Sequence, residues 1–559
     1  KDNMKKIIVL MILLSTCFNL SAQISKNQIA KIDELFLDWN KPNTPGVALG
    51  VIKNGELIYS KGYGVADLEH DVPITPSSVF YMASVSKQFI TMGILLLEEQ
   101  GKIDLDAEIQ TYLPDFPRYD STLTIRHFIH HTSGVRDFLT LWRLAGNSTL
   151  DHISEDAVYQ LIKNQKTLNF TPGSQYLYSN SCYFMLAMII EKTSGISINE
   201  FGDRYLFEPL GMKNTHFHND VTHIIKNRVF SYAPKYNGYR NLIMRFDLVG
   251  SGGLYSNIED MLLWDQNFYK NKLGKGRQDL IVQMHEEGLL NSGKSTKYAF
   301  GLSNSTYRGL ETVSHGGSLA GYRTFFLRFP KQNTSIVLLA NVSNFKSGTK
   351  AKEVANIVLD DLFAQNKIKQ ENKQILPLKH VALSIEKLKL YVGTYEVRTG
   401  IEVDVSLKNN VLTVLQKWNN QSFNLAAIND DSFVKSDDNN YKLQFSDINK
   451  MKAKKLTVDT GTSKEILKRK YKLPDVNLED YVGLYFSEEL NVTYEIYLDN
   501  KRLKSKVAYN KPITLSQTNI EQFTFRRTVF DFERSNNKVV SFIIDSGRVK
   551  GIKFLKSEK

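Results

Sequence analysis

The sequence predicts an α/β domain followed by two small all-β barrels. Helical and strand signals mix over residues 24–365, helical periodicity nearly vanishes in the C-terminal part, and a short pattern recurs there. Hydrophobic residues make up 42% and charged residues 23% of the 559 residues, which is ordinary for a globular protein. The chain can therefore bury several cores, and a wholly disordered protein is excluded.

The first domain contains a hairpin signal and two helix signals. Asn54-Gly55 stands between the apolar stretches 47–52 and 57–59, and this dipeptide is typical of a tight β-hairpin turn. Residues 89–97 and 182–192 are apolar on almost every side, and a glycine follows each of them within a few residues. These stretches predict two buried helices that end at glycines.

The C-terminal part contains an internal repeat. Residues 366–384 are rich in Gln, Lys and Asn and are interpreted as a linker. The Tyr-Val-Gly pattern of residues 390–395 returns at residues 480–485, an offset of 90 residues. Short alternating strands with Asn, Asp and Gly turns surround both copies. We therefore expect two tandem β-barrels, residues 385–474 and 475–559.

The first 22 residues have the pattern of a secretory signal peptide. A basic start at Lys5 and Lys6 precedes an apolar run over residues 7–14, and small residues end at Ala22. We therefore expect an exported protein, periplasmic or secreted. Lipid anchoring at Cys17 is less favoured because threonine precedes it, and no later stretch is apolar for long enough to span a bilayer.

Charge and motif content argue against several other function classes. The net charge of +12 is a mild basic bias over this length, so we expect a solvated surface and no nucleic-acid partner. There is no Walker loop and no dinucleotide-binding glycine pattern. Two histidine groups lack the acidic partner of a zinc-protease motif, so neither a metal nor another cofactor is expected. They are His127, His130 and His131, and His216, His218 and His223.

Ser84-Val85-Ser86-Lys87 is the strongest candidate for chemistry. A serine hydroxyl is a weak nucleophile until a base or cation activates it, and residues three apart share one face of a helix. Lys87 would lie beside Ser84, and the N-terminus of the following helix has free N–H groups that stabilise an oxyanion. Ser-x-x-Lys occurs six times, but only this copy directly precedes a long apolar helix.

Two further stretches combine polar groups with apolar neighbours. Tyr178-Ser179-Asn180 precedes the second apolar helix, and a nearby lysine would favour the phenolate needed for a tyrosine base. The same triplet at residues 255–257 is interpreted as a packing element. His315-Gly316-Gly317-Ser318 leads into an apolar strand, where two glycines permit a close backbone approach and Ser318 could supply an oxyanion N–H. Each stretch alone is more often structural than functional.

Taken together, residues 84–87, 178–180 and 315–317 resemble the three motifs of the penicillin-recognising serine hydrolases in order and separation. The similarity covers about residues 30–360. It points to class C β-lactamases, D-aminopeptidases, DD-carboxypeptidases and family VIII esterases. The C-terminal repeat resembles the barrels of some D-aminopeptidase relatives. The resemblance implies a β-lactamase/transpeptidase-like domain, an antiparallel sheet plus a helical subdomain, followed by two lipocalin-like barrels.

The resemblance also implies a role for each motif residue. Ser84 would be the nucleophile, Lys87 its activating partner, and Tyr178 the base and later the acid. Whether Lys87 or Tyr178 takes the serine proton stays open. The amides of Ser84 and Ser318 would form the oxyanion hole. The substrate-binding residues would be Asn180, His315, Gly316 and Gly317.

His315 departs from the pattern of the β-lactamases and transpeptidases, in which a lysine usually opens the third motif; other members of the family have a histidine there. Histidine is mostly neutral at pH 7 and is a poor receptor for a substrate carboxylate. We therefore expect a small-molecule or short-peptide substrate, a D-amino-acid peptide or a related amide or ester. Two alternatives stay open: a β-lactamase, and a non-catalytic envelope protein that binds peptidoglycan fragments. The oligomeric state is also left open.

Overall fold

The structure is a computed structural model that describes residues 24–371, 380–398, 401–448, 452–460, 464–470, 473 and 475–557. The expected signal peptide, with Cys17, lies outside the described residues. The chain divides into two compact units, Lys1–Gln370 and Glu371–Lys559. In the described part of the chain, no helix is both long and apolar enough to cross a lipid bilayer.

An antiparallel sheet forms the centre of the first unit. The strands of this unit are β1 (Val47–Lys53), β2 (Glu56–Tyr63), β3 (Val65–Asp67), β4 (Val72–Pro73), β5 (Phe80–Tyr81), β6 (His152–Ser154), β7 (His216–Phe217), β8 (Tyr232–Pro234), β9 (Tyr239–Asn241), β10 (Arg245–Asp247), β11 (Leu254–Ser256), β12 (Ser303–Tyr307), β13 (Leu310–Leu319), β14 (Tyr322–Phe329) and β15 (Thr334–Ala340). Six of them pair in the order β12-β13-β14-β15-β1-β2. A smaller sheet, β5-β11-β7, lies beside the start of the second helix.

Helices pack on both faces of the main sheet. They are α1 (Lys26–Leu35), α2 (Lys87–Glu99), α3 (Ile125–Ile129), α4 (Phe138–Leu144), α5 (Glu155–Lys163), α6 (Asn180–Ser194), α7 (Ile198–Gly202), α8 (Glu208–Leu210), α9 (Ile258–Asn267), α10 (Asp279–Met284), α11 (Ser347–Val358) and α12 (Asp360–Glu371). Side chains of β1 alternate between two cores because successive strand residues point to opposite faces. Ala48 and Ile52 join the core with α2, α6 and α9, whereas Val47, Leu49 and Val51 join the core with α1 and α11.

The predicted hairpin and both predicted helices are confirmed. β1 and β2 pair around Asn54-Gly55, and the two apolar stretches lie within α2 and α6. Gly195 ends α6 with a left-handed φ of +76°, a conformation that is inexpensive only for glycine. At the other end of the unit, α12 continues to Glu371, six residues into the segment expected as a linker.

The second unit contains two β-structures and a short helix, α13 (Ile385–Lys389). The first is a closed barrel of β16 (Gly393–Arg398), β17 (Ile401–Lys408), β18 (Val411–Gln416), β19 (Gln421–Ala427), β20 (Ser432–Lys435), β21 (Asp438–Ile448), β22 (Ala453–Asp459) and β23 (Lys464–Arg469). The second is a nine-stranded, nearly closed sheet of β24 (Gly483–Ser487), β25 (Val492–Asp499), β26 (Arg502–Val507), β27 (Ile513–Thr514), β28 (Ser516–Gln517), β29 (Gln522–Phe525), β30 (Thr528–Ser535), β31 (Lys538–Ser546) and β32 (Val549–Lys556). Its two edge strands, β27 and β28, are separated by one residue of sequence.

The internal repeat has the same hydrogen bonds in both copies. The Tyr395 hydroxyl donates to the Tyr391 carbonyl at 2.8 Å, and the Tyr485 hydroxyl donates to the Tyr481 carbonyl at 2.8 Å. The hydroxyls of Tyr391 and Tyr481 each donate to a backbone carbonyl 39 residues later. The repeated tyrosines therefore tie the start of each barrel to the same place in its own sheet.

Candidate active site

Ser84 lies in a single 3₁₀ turn, Ala83–Ser86, that leads directly into α2. Ala83 has a left-handed φ of +48°, which is uncommon for a residue with a Cβ atom. The Ser86 hydroxyl donates to the Ala83 carbonyl at 2.6 Å. Ala83 and Ser86 are buried while Ser84 is partly exposed. The surroundings thus hold a strained turn whose outer side carries the Ser84 hydroxyl.

Lys87 is buried, and its amine contacts oxygen atoms of Ser84, Asn180 and Ser251. Its Nζ atom is 3.2 Å from Ser84 Oγ, 2.9 Å from Asn180 Oδ1 and 2.8 Å from the Ser251 carbonyl. The amide and carbonyl oxygens can only accept, whereas the Ser84 hydroxyl can donate or accept. An ammonium group would donate to all three; a neutral amine would donate to the two acceptors and turn its lone pair to Ser84. The arrangement therefore suits both protonation states of Lys87.

The structure brings Asn180 and Tyr178 to the same lysine. Asn180 is the first residue of α6, which places its amide oxygen against Lys87. The centroid of the Tyr178 ring is 4.8 Å from Lys87 Nζ, a cation–π distance. His131 packs against Tyr178, with ring centroids 4.1 Å apart. Its Nδ1 atom accepts a hydrogen bond from the Ser179 amide at 3.2 Å.

Strand β13 passes very close to the Ser84 turn at Gly317. A Cβ atom on Gly317 would lie 2.2 Å from Thr324 Oγ1, 2.4 Å from the Met82 carbonyl oxygen and 2.9 Å from Ala83 Cβ. The Thr324 hydroxyl donates to the same Met82 carbonyl at 2.8 Å. Only glycine permits this approach, which puts Ser318, the next residue of β13, beside the turn that carries the hydroxyl.

His315 and Gly316 both contact other groups of the protein. The partners of His315 assign its tautomer: Nδ1 donates to the Gly316 carbonyl at 2.8 Å, so Nε2 accepts from the Tyr298 hydroxyl at 3.0 Å. Burial, and then the charge of Lys87, lower the pKa of His315 to about 3. Gly316 faces the Phe325 ring on the opposite side of the sheet. In this structure His315 therefore supports β13, and its contact with a substrate stays a prediction.

Several residues of the site were not among the catalytic and binding residues predicted from the sequence. They are Asp137, which accepts from Asn180; Ser251, which accepts from Lys87; His131, which packs on Tyr178; and Tyr298, which donates to His315. Glycines close by in the sequence, Gly134 and Gly252-Gly253, were the local signal that could have drawn attention to Asp137 and Ser251. The contact of Ser251 runs through a backbone carbonyl, so its side chain gives no sign of it.

The second Tyr-Ser-Asn triplet has a structural role. In this triplet, Tyr255 and Ser256 belong to β11, and the Asn257 side chain accepts from the Asp260 amide to cap α9.

Among the described residues, no group of three His, Cys, Asp or Glu side chains is arranged to hold a metal ion.

Comparison with protein families finds the β-lactamase family over residues 30–359. The chain is 29% identical to penicillin-binding protein 4* of Bacillus subtilis over 380 residues, 64% of this chain and 81% of that protein. It is 28% identical to D-aminopeptidase of Gluconobacter oxydans over 297 residues, 53% of this chain and 56% of that enzyme. The chain thus spans little more than half the length of the D-aminopeptidase.

Two solved structures share the fold. The octameric penicillin-binding protein homologue from Pyrococcus abyssi has a TM-score of 0.54 at 18% identity, covering 87% of this chain and 99% of that one. The D-amino acid amidase from Ochrobactrum anthropi has a TM-score of 0.51 at 22% identity, covering 61% of this chain and 100% of that one. The family match extends over more than half of the residues, from the first helix to the end of α11. The chain therefore belongs to the β-lactamase family of serine hydrolases and penicillin-binding proteins.

Proposed function

We propose that the protein is an exported serine hydrolase that cleaves D-amino-acid peptides, or related small amides and esters, through an acyl-enzyme on Ser84. The observation that carries the proposal is the contact of Lys87 Nζ with Ser84 Oγ at 3.2 Å, together with its contacts to two obligate acceptors, Asn180 Oδ1 and the Ser251 carbonyl. A base within hydrogen-bond reach of a serine hydroxyl is what nucleophilic attack on a carbonyl requires. Export rests on the expected signal peptide alone.

The proposed reaction has two halves. Ser84 Oγ attacks the substrate carbonyl carbon while its proton passes to the neutral amine of Lys87, and the oxyanion is held by the amides of Ser84 and Ser318. Collapse breaks the bond to the amine or alcohol, which leaves with a proton returned from the site. A water molecule then attacks the ester carbonyl, releases the acid and restores the Ser84 hydroxyl.

Tyr178 is the second candidate for carrying the proton. Its ring lies against Lys87, so a phenol and an amine share one pocket and can exchange roles between the two halves of the reaction. Tyr178→Phe keeps the ring contact and removes only the hydroxyl. A fall in acyl-enzyme formation on this change assigns the proton transfer to Tyr178, whereas an unchanged rate assigns it to Lys87.

The engagement of His315 supports a substrate without a carboxylate at this position. Both ring nitrogens are bound to protein groups and the ring stays neutral down to low pH. A β-lactam or a peptide held by its C-terminal carboxylate would meet no cation at His315. The names of the relatives, a D-aminopeptidase and a D-amino acid amidase among them, support D-configured amides as the first substrates to test.

The test is a substrate panel on wild type, Ser84→Ala and Ser535→Ala. The panel contains D- and L-alanine p-nitroanilides, D-Ala-D-Ala peptides, p-nitrophenyl butyrate and nitrocefin. Ser535 is a matched control because it opens another Ser-x-x-Lys copy, at the exposed end of β30. We expect hydrolysis of the D-anilide or the ester by wild type and the control, and none by Ser84→Ala. Equal rates for all three would refute the serine mechanism. Nitrocefin as the best substrate would favour a β-lactamase, and no turnover of any substrate would favour a binding protein.

A further inference from the structure

The buried carboxylate of Asp137 accepts hydrogen bonds at the N-termini of two helices, α4 and α6. Its Oδ1 atom accepts from the amide and the hydroxyl of Thr140, both at 3.0 Å, and so caps α4. Its Oδ2 atom accepts from the backbone amide of Asn180 at 2.9 Å and from Asn180 Nδ2 at 2.7 Å. Asp137 is 1% exposed, so these protein groups take the place of water around its charge.

Helix α6 depends on this distant residue for its cap. The residue before α6, Ser179, makes no side-chain capping bond. Asp137 accepts from the first amide of the helix instead, from 43 residues earlier in the chain. A carboxylate at two helix N-termini is favoured by both sets of free N–H groups. The N-terminus of α4 therefore fixes the position of Asp137, and Asp137 in turn fixes the position of the first residue of α6.

The same carboxylate decides which way the Asn180 amide faces. A carboxylate oxygen can only accept, so the group that faces Asp137 must be the amide nitrogen, Nδ2. The amide oxygen is then left facing Lys87 Nζ, at 2.9 Å. The reversed amide would direct N–H groups at the N–H groups of Lys87. Of the two obligate acceptors of Lys87, the Ser251 carbonyl is fixed by the backbone, whereas the Asn180 oxygen faces Lys87 only while Asp137 holds the nitrogen.

We propose that Asp137 is a positioning residue for the reaction: it locks the amide of Asn180 and, through it, the amine of Lys87 in line with Ser84. This inference rests on the proposed serine hydrolase function. The chain of contacts runs from a carboxylate through an amide to an amine and then to the nucleophile. Each link is a hydrogen bond of 3.2 Å or less.

The test uses Asp137→Asn in the full chain. Asparagine is as good a helix N-cap as aspartate, so its oxygen can still accept from Thr140 and preserve α4. Its NH₂ group would instead face Asn180 and favour the reversed amide. We expect the acylation rate with a fluorophosphonate probe, and kcat on the best substrate of the panel, to fall by about a hundredfold, with KM changed little. A change confined to KM would overturn the inference.

A double-mutant cycle separates positioning from general destabilisation. If Asp137 acts through Asn180, the double variant with Asn180→Ala reacts no more slowly than Asn180→Ala alone. If the two changes multiply, Asp137 acts by another route and the inference is wrong. Thr140→Val is the matched control: it removes the hydroxyl bond to Asp137 but keeps the amide bond of residue 140 and both bonds from Asn180, so Asp137 stays in place. We expect a lower melting temperature with unchanged kcat.

The outcomes distinguish this inference from the proposed function. A wild-type protein that the probe does not label at Ser84 refutes the proposed function and this inference with it. A wild type that is labelled while Asp137→Asn reacts at the same rate refutes only the inference. Should Asp137→Asn not fold, Asp137→Ser serves instead, because serine also caps α4 but is too short to hold the Asn180 amide. Wild-type acylation by that variant would likewise overturn the role of Asp137.

Discussion

A methyl group added at Gly317 tests the close approach on which the site depends. The Cβ atom of Gly317→Ala would lie 2.2 Å from Thr324 Oγ1 and 2.4 Å from the Met82 carbonyl oxygen. A carbon–oxygen contact relaxes only at about 3.3 Å or more. Turning the Thr324 hydroxyl away removes the first clash but not the second, because the Met82 carbonyl belongs to the backbone. Strand β13 must therefore move away from the Ser84 turn by about 1 Å.

Such a movement of β13 is large enough to slow catalysis. The shift would carry Ser318, the expected second oxyanion donor, away from Ser84. Loss of one oxyanion donor lowers turnover by about a hundredfold to a thousandfold. Overpacking at a buried position costs about 1–3 kcal/mol of stability, which leaves a protein of this size folded at room temperature. We therefore expect Gly317→Ala to be folded and at least about a hundredfold slower.

The assay compares Gly317→Ala with Gly316→Ala. A Cβ atom on Gly316 would lie on the other face of β13, 3.0 Å from the edge of the Phe325 ring, which can yield slightly. Both variants are measured for fluorophosphonate acylation and for ester hydrolysis, with melting temperatures to establish folding. We expect a large loss for Gly317→Ala and a small one for Gly316→Ala. Equal rates for wild type and Gly317→Ala would refute the proposed contact between β13 and the Ser84 turn.

Three further changes test other parts of the structure. Ala83→Gly should raise the free energy of unfolding in urea by about 0.5–1 kcal/mol, because it relieves a left-handed alanine; an unchanged midpoint would argue against strain there. Since burial lowers the pKa of His315 to about 3, the unfolded chain binds the extra proton first. Stability should therefore be complete above about pH 6.5 and fall below it, with a shallower fall in His315→Asn. Tyr395→Phe should destabilise its barrel by about 1–3 kcal/mol and Tyr485→Phe its own by about 1 kcal/mol, because Tyr395 also accepts from the buried Arg469, at 2.6 Å, a bond that no described residue makes to Tyr485. Equal losses in thermal unfolding would contradict that difference.

Local patterns in the sequence predicted the hairpin, the two apolar helices and the repeat. Each of these depends on a signal that neighbouring residues carry, such as Asn54-Gly55 in a turn or the offset of Tyr391 and Tyr481. The position of Ser84 before an apolar helix was of the same kind, and the structure places a turn and then α2 there. The continuation of α12 to Glu371 was not predicted, because a polar, lysine-rich stretch has no apolar face to indicate a helix.

The partners of the motif residues could not be predicted in the same way. Asp137 precedes Asn180 by 43 residues, and no periodicity joins two residues at the starts of different helices. The low pKa of His315 follows from burial and from the charge of Lys87, a residue that no sequence spacing connects with it. The acceptor at Ser251 is a backbone carbonyl, which every residue has.

The amino-acid sequence by itself determined which chemical groups are available and the local segments that carry them: a serine before a buried helix, a lysine one turn later, and barrels that repeat a tyrosine pattern. Those features follow from turn chemistry and periodicity, which act between residues close in the chain. Only the tertiary structure decided what each group faces. The buried surroundings determine the protonation state of His315, the orientation of the Asn180 amide and the distance from β13 to Ser84. Burial and hydrogen-bond geometry depend on residues that folding brings together from distant parts of the chain.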